Sequence, residues 1–186
     1  MRREQTQRVK ALLDELDYDF SSFTLEGFAD WLAQRRRRQI VFVPKSMPAS
    51  ISGAWVKGHD KDYIFYEMDT PIVHQAHIQL HEMAHMLCGH PTVEVGPQQT
   101  QALLRHTGRI DSQALEHLLQ RSVHSGQAEE EAESLTLFVQ ERVFAHKRAE
   151  ELYKTGHSEI LFSALAEERA QIVADITDFV HGRTSK

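Results

Sequence analysis

Residues His81-Glu82-Met83-Ala84-His85 place two histidines four positions apart, with a glutamate directly after the first. On a helix, side chains four apart lie on one face, so both imidazoles can reach one ion. Zn2+ is the usual metal for such a pair. Glu82 projects beside them and can accept a proton from an attacking water, which is the arrangement of metal-assisted hydrolysis. The helical wheel strengthens the reading. At about 100° per residue, His74, His77, His85 and Cys88 all fall within about 40° of His81. Val73, Ala76, Leu80, Met83, Ala84 and Leu87 take one flank and the far side. One face suits a core and the other suits a cleft.

A catalytic metal needs a third protein ligand and an open position. His90 does not fit the single-segment scheme HExxHxxGxxH, because Gly89 is fourth and His90 fifth after His85. The acidic run Glu129-Glu130-Glu131-Ala132-Glu133 is the better source. Ala128, Ala132, Leu135, Phe138, Val139 and Val143 define the apolar face of its helix. Glu131 sits about 60° from the centre of that face, Glu129 about 100°, Glu133 about 140° and Glu130 about 160°. An inward carboxylate needs a partner. The expected metal ligands are therefore His81, His85 and Glu131, with Glu82 as the catalytic base. Hydrolysis also needs an oxyanion donor; Tyr63, Tyr66, His106 and His124 are the candidates.

These residues must be positioned by a scaffold, and the pattern predicts an α+β one. Apolar periodicity predicts helices over about 3–16 and 24–37, the second capped by Thr24. Residues 39–43 read as a strand ended by Pro44. Residues 51–57 and 62–67 read as a hairpin around Gly58-His59-Asp60-Lys61. A helix from Pro71 to Leu87 carries the histidine pair, and a loop is expected from Gly89 to about Thr100. Further helices are expected over about 111–123, 127–152 and 158–180. The whole is read as one domain over 1–186: N-terminal helices in 1–38, a roughly three-stranded antiparallel sheet in 39–67, the zinc helix in 71–88 and a helical part in 100–186.

Composition excludes several classes. The chain has 186 residues, 41% of them hydrophobic, enough for a real core. Its net charge of −6 argues against a nucleic-acid binder held by phosphate contacts. The single cysteine, Cys88, rules out an internal disulfide framework and suits a reducing compartment. No apolar run spans a bilayer, and the basic first residues lack the apolar core of a signal peptide. A cytoplasmic address is expected. Five of the 12 histidines lie between His74 and His90. Arg35 to Arg38 form a basic run at a helix C-terminus, where the dipole favours cations.

The stretch Leu80-His-Glu-Met-Ala-His-Met-Leu-Cys-Gly-His90, followed by Glu131-Ala132-Glu133 leading into an apolar helix, resembles the ImmA/IrrE-type metallopeptidases. Gly53 to Val56 and Tyr63 to Tyr66 resemble the family's hairpin before the zinc helix. The resemblance covers about 40–144. Two departures stand out: Glu133 replaces the more usual Asp or Asn, and 46 positions separate His85 from Glu131. The resemblance implies a zincin-like fold and a zinc-dependent intracellular metallopeptidase. It also implies a protein substrate, a helix-turn-helix transcriptional regulator that the enzyme cleaves or antagonises. The alternatives are a non-proteolytic regulatory protein with a structural zinc and a small-molecule zinc hydrolase or toxin component.

Overall fold

The computed structural model describes residues 2–105, 117, 119, 121 and 124–154. The helices expected over 158–180 and over most of 111–123, and the candidate His106, lie outside the described residues. The described chain is α+β and divides into two compact units, 1–23 with 137–186, and 24–136.

In the first unit, α1 (Arg2–Asp14), a 3-10 turn (Phe20–Ser22) and the segment between them bury Val9, Leu13, Leu16 and Phe20. The later turns of the helix Gly126–Lys154 bury Phe138, Val139 and Val143. Arg142 pairs with Asp14, its guanidinium lies 5.6 Å from the Phe20 ring centre, and Lys10 Nζ lies 5.1 Å from that of Phe138.

The second unit holds the sheet and the histidine helix. α2 (Leu25–Arg36) starts at Thr24, whose Oγ1 accepts the Gly27 N–H at 3.0 Å, as its position before the apolar stripe leads one to expect. Three strands follow: β1 (Ile40–Lys45), β2 (Gly53–Lys57) and β3 (Asp62–Glu67). After α3 (Ile72–Cys88) come a two-residue β4 (Val93–Glu94), α4 (Pro97–Arg105) and α5 (Gly126–Lys154).

The sheet is mixed, with order β1-β3-β2-β4. β2 and β3 form the expected antiparallel hairpin, closed where Gly58 N–H donates to Lys61 O at 2.9 Å. β1, however, runs parallel to β3, and β4 runs parallel to β2. The chain leaves β1, passes over one strand position, returns as β2, and turns back to fill the gap with β3. β1 extends through Pro44, which it tolerates because it is an edge strand.

Alternation along β2 and β3 makes two faces. Ala54, Val56, Tyr63 and Phe65 join a core cluster with Met47, Ile51, Val95, Leu103 and Leu119. The opposite face, from Gly53 and Trp55, packs on α3: a Cβ on Gly53 would lie 2.5 Å from Ile78 Cγ2. α3 ends at Gly89, whose φ of 70° permits the left-handed cap.

The arginine run is explained here. Arg36 Nε and Nη2 and Arg38 Nε all donate to the fully buried Asp62 carboxylate, at 3.2–3.3 Å. Arg38 Nη2 also donates to Gly58 O and Lys61 O, and Arg36 Nη1 to Met86 O. Two side chains of that run therefore tie the hairpin and the C-terminal end of α3 to α2.

Candidate metal centre

α3 presents His77, His81 and His85 one turn apart, and the first turns of α5 bring a row of carboxylates to them. His81 Nε2 lies 3.0 Å from His85 Nε2 and 3.1 Å from Glu129 Oε2. His85 Nε2 lies 3.7 Å from Glu129 Oε1. Tetrahedral zinc with bonds of about 2.0–2.1 Å has donor–donor edges of about 3.3 Å. The two imidazole nitrogens and the Glu129 carboxylate, which meets each ring through a different oxygen, are thus close enough to hold one ion. His81, His85 and Glu129 form one of four groups among the described residues whose donor atoms lie within 4.8 Å of one another.

The structure brings Glu129, not Glu131, to the histidine pair. Glu131 is buried, 3% exposed, as its wheel position suggests. Its burial partner is His90: Glu131 Oε2 lies 3.2 Å from His90 Nε2. The wheel measured direction toward the centre of the apolar core, whereas the histidine pair meets α5 along the edge of that face. The signal for Glu129 was its partner four residues on. Glu129 and Glu133 form an i, i+4 pair that matches the i, i+4 pair His81 and His85.

Glu133 has a role at the edge of the group. Its Oε2 lies 3.3 Å from His81 Nδ1 and 3.4 Å from His77 Nε2. A carboxylate only accepts, so both His81 ring nitrogens carry hydrogens, Nδ1 toward Glu133 and Nε2 toward Glu129; an ion bound at Nε2 would take the place of that second hydrogen, while Glu133 keeps Nδ1 hydrogenated. The hydrogen bonds to His77 and His81 hold the Glu133 carboxyl at about 2. Those to His81 and His85 hold Glu129 well below the usual carboxylate range. Burial works against charge on His81, but the bonds to Glu129 and Glu133 and the nearby Glu82 outweigh it and raise it to about 9. Burial pushes His85 down. The carboxylates make this a point that stabilises positive charge.

Glu82 is buried, 6% exposed, and accepts the Trp55 N–H at 2.8 Å through Oε2. Burial raises its carboxyl to about 7, against the opposing pull of His81 and of the Trp55 N–H. Gly53 leaves room for it: a Cβ there would lie 2.8 Å from Glu82 Oε1. On the hydrolytic zinc reading proposed below, Gly53→Ala is therefore expected to displace Glu82 and cut hydrolysis while zinc content stays at the wild-type level. Paired rate and metal measurements check this, and an unchanged rate would contradict it.

The remaining candidates separate clearly. Tyr63 belongs to the core cluster, and its ring lies against Gly58 at the hairpin turn. Tyr66 is half-buried on β3. His124 is at the centre: its ring stacks on His85 with centroids 3.8 Å apart, and its backbone N–H donates to Glu129 Oε1 at 3.3 Å. Burial, with the neighbouring His85 ring, lowers His124 to about 4. Cys88 has its sulfur within 4.8 Å of donors on His90 and Glu131.

The chain matches no family model, no curated protein and no solved structure. No helix among the described residues is long and apolar enough to cross a membrane.

Proposed function

We propose that the chain is a zinc-dependent metallopeptidase, with His81, His85 and Glu129 as metal ligands and Glu82 as general base. The observation that carries this reading is the convergence of two imidazole nitrogens and one carboxylate within 3.0–3.7 Å, directly beside a buried glutamate. Zinc in that triangle would polarise a scissile carbonyl and make a water acidic enough to lose its proton near neutral pH. Glu82 takes that proton as the water oxygen joins the carbonyl carbon. It then hands the proton to the amine as the C–N bond breaks. Trp55 N–H holds the Glu82 carboxylate through both transfers, and Glu133 holds the His81 ring.

The likeness of the motif residues to ImmA/IrrE-type enzymes supports a helix-turn-helix regulator as the protein substrate and a cytoplasmic setting. The test is direct. The zinc-loaded protein is incubated with a peptide library and the products are read by mass spectrometry. New termini that vanish with chelator and return with zinc are expected. No cleavage of any member, with zinc bound, would contradict a peptidase.

A further inference from the structure

We propose that His90 and Glu131 form a positioning relay behind His85, fixing which ring nitrogen of that ligand faces the metal. The inference rests on His85 being a ligand, as proposed above. A neutral imidazole has one donor and one acceptor nitrogen. The buried Glu131 carboxylate accepts, so the hydrogen of His90 sits on Nε2, 3.2 Å away. His90 Nδ1 is then a lone pair. It lies 2.8 Å from His85 Nδ1, so that nitrogen must carry the hydrogen. His85 Nε2 is left as a lone pair, and it is the nitrogen that faces His81 and Glu129. The opposite tautomer of His85 would set two lone pairs head to head at this distance.

The fold builds this arrangement on purpose-made geometry. Gly89, at φ 70°, ends α3 and folds the chain back so that His90 N–H donates to His85 O at 3.1 Å. That returns the His90 ring to the outer edge of His85, with ring centroids 5.0 Å apart. On α5, Gln127 Nε2 donates to Glu131 Oε1 at 3.4 Å and steadies the carboxylate. The two ligand histidines are thus oriented differently. Glu133 reaches His81 directly, while Glu131 reaches His85 through another histidine. Such outer partners are worth roughly 10–100-fold in metal affinity.

The test compares wild type, Glu131→Leu, His90→Phe, the double variant, His85→Ala and Cys88→Ser in the full chain. Zinc affinity is read by competition with a chromophoric chelator, and ring tautomers by nitrogen-15 spectra of the zinc-loaded protein. The relay predicts one zinc per chain, with His85 hydrogenated at Nδ1 and His90 at Nε2. It predicts about 10–100-fold weaker zinc binding in each of Glu131→Leu and His90→Phe, which remove the acceptors. The double variant should be no weaker than His90→Phe, because the two act in series. Wild-type affinity in Glu131→Leu, or His90 hydrogenated at Nδ1, would overturn the relay and leave the ligand set standing. A second zinc equivalent that disappears in Cys88→Ser would also overturn it, since His90 and Glu131 would then be ligands. Full zinc binding by His85→Ala would instead overturn the ligand reading beneath it.

Discussion

Replacing Glu82 by Gln is expected to lower peptide hydrolysis by about two to four orders of magnitude while zinc stays bound. The amide cannot take a proton, but its oxygen can still accept the Trp55 N–H that Glu82 Oε2 now accepts at 2.8 Å. The size of the side chain is unchanged, so it still fits the space that the missing Cβ of Gly53 leaves. The effect should therefore fall on the rate and not on folding. Its pH dependence follows from the same burial. Glu82 is raised to about 7 by desolvation, and only the deprotonated form serves as base. Activity must rise with pH through the Glu82 pKa and fall as acid protonates it. A cation beside the carboxylate favours its charged form, so the acidic limb of the zinc-loaded enzyme lies below about pH 7. Rate–pH profiles of the two proteins check this. Equal rates would remove Glu82 from the chemistry.

Asp62→Ala is expected to cost about 3–5 kcal/mol of stability, because it strands two arginines that meet at one buried carboxylate. Arg36 and Arg38 are each 24% exposed in their side chains, while Asp62 is fully buried. Without the carboxylate, the partners left to their donors among the described residues are backbone oxygens of the hairpin and of Met86. Asp62 also sits at the first position of β3, paired with Ile40 and Lys57. Its loss loosens the junction of α2, the hairpin and the far end of α3 together. Urea unfolding of the two proteins measures the difference. A change under about 1 kcal/mol would show that this buried pair contributes little beyond a hydrophobic replacement.

Some of this was legible in the residues and some was not, for physical reasons. The histidine pair on α3, the Thr24 cap and the Gly58 turn are local features, set by spacing within a few residues. The order β1-β3-β2-β4 is not local. Nothing in 40–45 says that its partner is the second arm of the hairpin and not the first. β4 has two residues and no measurable periodicity, and α4 starts at Pro97 inside what reads as a loop. The arginine run read as a helix C-terminus favoured by the dipole, and only the placement of Asp62 shows that two of its members serve a buried carboxylate. The acidic run is the most instructive case. Wheel geometry placed Glu131 inward, but an inward carboxylate had two possible partners, a metal or a histidine, and His90 takes that place.

The ligand set is tested most directly by zinc content. Wild type, Glu129→Ala and Glu131→Ala are loaded with excess zinc, passed through gel filtration and measured by mass spectrometry of the metal. One zinc per chain in wild type, loss in Glu129→Ala and retention in Glu131→Ala is the predicted result. Full zinc in Glu129→Ala with loss in Glu131→Ala would contradict it.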